Sequence, residues 1–179
     1  RIRIAISKKL PNLEQKLIKK SSDPKFMGEV FEFAKEVYGQ KKRRNFDEAY
    51  LDHIINVAAI LQGMNLDQTT IAAGLLHDAI DTVDSPQERE DILVKIKKRF
   101  GNDIAQICQR SFELQRIYYS FHAGRKENIL TKEKAENLRK MFLAISRDLR
   151  VVLIDLAARI DGLGKIKKLS PDLQKIYAK

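Results

Sequence analysis

The segment "QTTIAAGLLHDAID" (residues 68–81) decides the fold of this chain. Its apolar residues recur at helical rather than alternating spacing, and Asp67 stands directly before it as a residue suited to cap a helix. The segment therefore predicts a helix that lies in the interior of the protein. His77 and Asp78 fall inside this apolar run, so two polar side chains need partners within a predicted core.

The same helical spacing extends outward over nearly the whole chain, and only "RIRIAI" (residues 1–6) alternates like a strand. Residues that favour helix ends punctuate the pattern. Ser22 or Asp23 is suited to begin one helix and Asp148 another, and Gly39 and Gly101 are suited to end helices. We therefore predict an all-α fold.

Composition limits the classes of protein to which the chain can belong. Its 179 residues suit one domain, and no apolar run is long enough to cross a membrane. The single cysteine, Cys108, has no partner for an intrachain disulfide, which favours a core position in a reducing, cytoplasmic protein. The formal net charge of +10 favours a polyanionic partner, which could be nucleic acid, an anionic membrane surface or a highly phosphorylated small molecule.

The His77-Asp78 pair suggests a metal site. On an ideal helix adjacent residues diverge by about 100°, so the two side chains need different partners, and an unpartnered buried carboxylate is costly. His53 faces inward on the preceding predicted helix, and two histidines with one aspartate suit Mn²⁺, Fe²⁺ or Zn²⁺. Alternatively, His77 bonds a backbone carbonyl and Asp78 pairs with a lysine. Spacing alone leaves both interpretations open.

Four segments together resemble the N-terminal HD-type domain of the RelA/SpoT homologues. They are, in order, "YLDHIINVAAIL" (50–61), "AAGLLHDAID" (72–81), "FGNDIAQI" (100–107) and "AENLRKMFLAISRDLRVVLIDLAARIDGL" (135–163). The resemblance implies an HD-domain helical bundle over residues 24–169, preceded by a basic segment, 1–23. Residues 170–179 resemble the beginning of the connection to a synthetase domain, so we expect a linked synthetase domain in the full-length protein.

The resemblance also implies an activity and its residues. Domains of this family remove the 3′-pyrophosphate of guanosine tetra- and pentaphosphate, (p)ppGpp, with a divalent metal such as Mn²⁺. His53, His77 and Asp78 stand at three metal-ligand positions of the family. Arg44 stands at a basic position of its substrate pocket, where a guanidinium can grip phosphate. Asp81 matches an acid that orients or activates the attacking water.

The chain departs from the family pattern at several positions. Ala158, in "LAAR", replaces the aspartate that is the fourth metal ligand, and Thr82 replaces the second acid of a Glu-Asp pair. Residues 45–47 and 161–165 differ from the family's nucleotide-pocket sequences. Because a methyl group cannot coordinate a cation, we expect impaired turnover.

Two nearby acids are candidates to compensate for Ala158. Asp155 and Asp161 lie about one helical turn before and after it, on nearly the same predicted face. Either could serve as a substitute ligand. The interpretation we favour is that Asp155 is a surface acid and Asp161 a residue at a helix end.

Three functions follow from these observations. The chain is a weakened (p)ppGpp hydrolase domain, or it is a catalytically inactive regulatory domain of an alarmone synthetase. Nucleic-acid binding ranks last, because the basic residues are spread over most helices, tryptophan is absent and no recognition motif is present. Neither of the first two functions involves a membrane.

Overall fold

The computed structural model describes residues 12–43, 48–123, 136, 139 and 148–165. Arg44, the strand-like run 1–6 and the predicted connection 170–179 lie outside these residues. Within these residues, a helical segment at 12–20 is followed by six helices, and one short 3₁₀ turn at Ala79–Thr82 lies between the third and the fourth. They are α1 (Pro24–Tyr38), α2 (Tyr50–Gly63), α3 (Gln68–Leu76), α4 (Pro86–Phe100), α5 (Asn102–Ala123) and α6 (Leu149–Lys165).

The predicted all-α fold is confirmed. Over the described residues the only pairing of β type is an isolated bridge between Lys42 and Ala49. Within the same residues, every helix is too short or too polar to span a lipid bilayer.

Helix ends follow the capping residues of the sequence. The carboxylate of Asp23 accepts a hydrogen bond from the Phe26 amide at 3.0 Å, and that of Asp67 accepts one from the Thr70 amide at 3.0 Å. Gly39 and Gly101 end α1 and α4 with positive φ angles of 49° and 95°, a conformation that costs glycine little. The cap at Asp67 sets the first residue of α3 and with it the position of the helical turns that follow.

Helix α3 forms the centre of the core, as its apolar sequence predicts. Every residue from 71 to 80 is buried, and α3 contacts α1, α2, α5 and α6. Cys108 of α5 is fully buried in the same core, as expected. A polar side chain at the end of α3 is therefore surrounded by protein on all sides.

The end of α3 differs from the sequence prediction. A single helix was expected over 68–81, but α3 ends at Leu76, with His77 at its C-cap, and the chain continues into the 3₁₀ turn. The His77 Nδ1 atom lies 2.8 Å from the Gly74 carbonyl oxygen and so takes up one of the last helical acceptors. Because the helix stops there, His77 and Asp78 do not diverge. His77 Nε2 lies 3.1 Å from Asp78 Oδ1.

Gly74 allows α2 and α3 to approach closely. A Cβ atom at this position would lie 2.3 Å from Leu61 Cδ1. We expect Gly74→Ala to lower the free energy of unfolding by about 1–3 kcal/mol, since the packed core must shift to accept the methyl group. Urea denaturation provides the measurement.

Gly28 in α1 is the matched control for this substitution. It is also helical, but a Cβ atom there would meet nothing within 4 Å. Gly28→Ala should therefore stabilise the protein by up to about 1 kcal/mol through its higher helix propensity. Equal effects of the two substitutions would show that the α2–α3 contact imposes no steric limit.

Candidate metal centre

Three buried side chains meet where α2 packs against the end of α3. They are His53, from the first half of α2, together with His77 and Asp78. One ligand atom from each lies within 4.8 Å of the other two. His53 Nε2 is 3.7 Å from Asp78 Oδ2, and the two imidazole centroids are 5.6 Å apart. The structure thus brings together the three residues that the sequence singled out as metal ligands.

Both imidazoles direct their Nε2 atom into this cluster. Nδ1 of His77 is engaged by the Gly74 carbonyl, and Nδ1 of His53 lies 2.6 Å from Asp161 Oδ2. In contrast, both Nε2 atoms are buried without a hydrogen-bond partner among the described residues. A buried polar atom without a partner is costly. The arrangement fits a divalent cation, which would accept the lone pairs of both Nε2 atoms.

The protonation states of the cluster also suit a cation. Burial lowers the pKa of His53 from 6.5 to about 4, so its imidazole is neutral at physiological pH. Burial alone would raise the pKa of Asp78, but the two neighbouring histidines and the Gln115 amide outweigh it and lower that pKa below its usual value. Neutral imidazole and ionised carboxylate are the forms that bind metals.

The low pKa of His53 predicts a pH-dependent stability of the metal-free protein. Between pH 6.5 and 4 the unfolded chain binds a proton at His53 that the folded chain does not. The contribution of His53 to stability is therefore fully present above pH 6.5 and is lost as the pH falls towards 4, by up to about 3 kcal/mol. Urea denaturation in chelator at several pH values measures this slope.

His53→Gln provides the comparison that isolates this effect. Burial raises the pKa values of Glu48 and Asp52, which gives an opposite slope in part of the same range. The contributions of Glu48 and Asp52 remain in the variant, so the difference in unfolding free energy between the two proteins reports the contribution of His53. Parallel stability profiles from pH 7 to 4 would contradict the prediction.

Asp161, expected to be a residue at a helix end, lies four residues before the end of α6, and its side chain is buried and contacts His53. Lys165, one turn later on α6, forms ion pairs with both Asp161 and Glu48. Asp155 instead pairs with Arg159 at 2.7 Å and is partly exposed. A role for either acid as a substitute ligand stays a prediction.

The remaining predicted positions lie around the cluster. Ala158 is partly buried on α6 and packs against the core, where its methyl group supplies no ligand atom. Asp81 lies on the 3₁₀ turn and is partly exposed. Thr82 donates a hydrogen bond to the Ala79 carbonyl at 2.8 Å and accepts one from Lys41 Nζ at 3.2 Å. The threonine hydroxyl is therefore used to close the turn.

Sequence analysis missed Gln115 and Glu48. Gln115 Nε2 donates a hydrogen bond to Asp78 Oδ1 at 2.9 Å and so helps to fix the carboxylate. Its position could have been suspected, because it follows the buried residues Cys108 and Ser111 on one face of α5. Glu48 stands just before α2, where no helical pattern indicates its direction.

Comparison with known proteins points to one kind of domain. The model of the HD domain family matches residues 30–179. The chain is 34% identical to a protein of Aquifex aeolicus named guanosine-3′,5′-bis(diphosphate) 3′-pyrophosphohydrolase, over 83% of this chain and 20% of that protein. A protein of Haemophilus influenzae with the same name is 35% identical, over 76% of this chain and 18% of that protein.

A second name occurs among the relatives. A Brucella ovis protein named GTP pyrophosphokinase rsh is 32% identical, over 82% of this chain and 18% of that protein. The chain thus spans about a fifth of the length of the curated relatives it matches. The resemblance to the RelA/SpoT homologues predicted from the sequence is confirmed by these matches.

Proposed function

Because this chain belongs to the HD domain family, we propose that it is a metal-dependent phosphohydrolase domain acting on guanosine 3′,5′-bis(diphosphate), with weakened turnover. The observation that carries the proposal is the pair of buried Nε2 atoms of His53 and His77, which lack hydrogen-bond partners within the described part of the chain and face the Asp78 carboxylate. The names of the relatives suggest the substrate. The reaction is removal of the 3′-pyrophosphate by water.

His53, His77 and Asp78 would hold the cation. Two imidazole nitrogens and one carboxylate suit Mn²⁺ among several first-row metals and leave coordination positions open. When bound, such a cation lowers the pKa of water and offsets negative charge on phosphoryl oxygens. Gln115, through its hydrogen bond to Asp78 Oδ1, would hold the carboxylate in place.

Other residues of the chain would serve the substrate. Asp81, three residues after Asp78 and partly exposed, is the best placed acid to orient water or accept its proton. Arg44 would grip the phosphates, as its match to the family pocket implies. Lys41, whose ammonium lies beside Thr82, would add positive charge at the same edge of the site.

Two positions support weakened turnover. Ala158 provides no fourth ligand, which leaves the cation with less negative charge and less positional control. Thr82 cannot act as a base, and its hydroxyl already donates to the Ala79 carbonyl. The site therefore retains the residues that bind metal and lacks part of those that would activate water.

The same two positions favour a second candidate function. A domain that binds metal or nucleotide without turnover could regulate a synthetase domain linked to it. The matched region is about a fifth of the length of these relatives, and one of them is named a pyrophosphokinase. A linked synthetase domain would therefore be the partner of either function.

Metal and substrate assays on the purified chain test both functions. The protein is stripped with chelator, titrated with Mn²⁺ by calorimetry and then incubated with the tetraphosphate while pyrophosphate release is measured. We expect one Mn²⁺ per chain and slow release that chelator stops. Mn²⁺ binding without release would favour the regulatory function, and the absence of Mn²⁺ binding would refute the proposed metal centre.

A further inference from the structure

We propose that Asp161 is a positioning residue for His53, holding the imidazole in the tautomer and orientation that a metal ion requires. The inference rests on the proposed function, because it takes Nε2 of His53 as a ligand atom. It assigns Asp161 a role other than that of a substitute ligand. It also explains the ion pair that Asp161 makes with Lys165 at the end of α6.

Hydrogen-bond chemistry at His53 fixes the tautomer. Asp161 Oδ2 lies 2.6 Å from His53 Nδ1, and both side chains are buried. An ionised carboxylate can only accept a hydrogen bond, so Nδ1 must carry the proton. A neutral imidazole carries one proton, and the lone pair is therefore on Nε2, the atom nearest Asp78.

His77 reaches the same tautomer in a different way. Its Nδ1 atom donates to the Gly74 carbonyl within its own helical segment. His53, in contrast, depends on a carboxylate 108 residues away in sequence. A carboxylate partner makes an imidazole a stronger ligand than a neutral carbonyl does. The contact thus strengthens one ligand in a site where Ala158 supplies none.

The surroundings of Asp161 argue against direct coordination by its carboxylate. Among the described residues, its ligand atoms group with those of Glu48 and His53, and not with those of His77 and Asp78. The Lys165 ammonium already contacts both Glu48 and Asp161. The Lys165 ammonium, and not a metal ion, therefore provides the positive charge beside Asp161.

Two readouts on the full chain test the proposal. In metal-free protein, long-range ¹H–¹⁵N NMR correlations report which nitrogen of His53 carries the proton. We expect Nδ1–H in the wild type and a population of Nε2–H in Asp161→Ala. Calorimetry with Mn²⁺ should show affinity about 10–100-fold weaker in Asp161→Ala. Asp161→Asn retains an acceptor oxygen and should fall between the two proteins.

Asp155→Asn is the matched control, because it removes a carboxylate of the same helix that pairs with Arg159 and lies outside the cluster of His53, His77 and Asp78. It should leave both the tautomer and the Mn²⁺ affinity unchanged. If Asp161→Ala does not fold, Asp161→Asn and Lys165→Met, which removes the ion pair at Asp161, provide the same readouts at smaller amplitude.

Three outcomes distinguish a positioning role of Asp161 from no role, from direct coordination and from failure of the proposed function. An unchanged His53 tautomer and an affinity within twofold of wild type would overturn the proposal. A loss in Asp161→Asn as large as that from removing Asp78 would instead identify Asp161 as a direct ligand. Wild-type protein that binds no Mn²⁺, yet changes tautomer in Asp161→Ala, would refute the proposed function and support the positioning contact.

Discussion

Asp78→Asn is expected to weaken Mn²⁺ binding by at least about 100-fold and to reduce pyrophosphate release below detection. Asp78 is the one carboxylate in the cluster with His53 and His77. Loss of a residue that merely supports a ligand costs 10–100-fold in metal affinity, so loss of a ligand should cost at least as much. Calorimetric titration of the stripped protein with Mn²⁺ provides the measurement.

The metal-free protein should tolerate this change. Asparagine has nearly the same volume as aspartate, and its amide oxygen can keep the hydrogen bond from Gln115. Its amide nitrogen can also donate to an Nε2 atom that lacks a partner. The melting temperature in chelator should therefore stay close to wild type, whereas the stabilisation by added Mn²⁺ should disappear.

Asp155→Asn again serves as the control, since its ion pair with Arg159 is partly exposed and exposed pairs contribute little. Wild-type Mn²⁺ affinity in Asp78→Asn would place the metal elsewhere and remove the basis of the proposed mechanism. Weak binding in both variants would point to a general effect of charge.

Much of the fold could be predicted because its determinants are local. Asp23 and Asp67 cap helices through amides three residues away, and apolar spacing identifies the buried faces. The end of α3 could not be predicted in this way. There the His77 side chain competes for a carbonyl of its own helix, and residue types that continue a helix in most contexts do not reveal that competition.

The residues of the candidate site also divide into those that a local sequence pattern identifies and those that it does not. His53, His77 and Asp78 could be selected from two short segments, because helix periodicity indicates which side chains face inward. Asp161 and Gln115 reach the site from α6 and α5. Their relation to it depends on how distant helices pack, which no local pattern records. The sequence therefore identified the residues that would touch the metal, missed Gln115, and indicated Asp161 only as a candidate substitute ligand.

Ala158→Asp is expected to increase Mn²⁺ affinity at least about tenfold and to increase pyrophosphate release. Ala158 lies three residues before Asp161 on α6, so the two side chains share a helix face. It is also the position at which the resemblance to the RelA/SpoT homologues predicts a fourth ligand. A carboxylate there would add negative charge and a further donor to a site of two imidazoles and one aspartate.

The same substitution should destabilise the metal-free protein. A partly buried carboxylate about one helical turn from Asp161 loses solvation and meets like charge, at a cost of about 1–3 kcal/mol. Mn²⁺ at 100 times its Kd should offset most of this cost, because such a ligand stabilises the folded state by about 2.7 kcal/mol. The distinctive result is a melting temperature below wild type in chelator and a larger rise with Mn²⁺.

Leu156→Asp separates this effect from added charge alone. Leu156 lies on the same helix but its side chain is 47% exposed, so an aspartate there should change neither the metal-free stability nor the Mn²⁺ affinity appreciably. If Ala158→Asp is destabilised equally with and without Mn²⁺, position 158 does not face the metal. If affinity rises without release of pyrophosphate, Thr82 limits the chemistry, and Thr82→Asp in the same chain should then raise turnover.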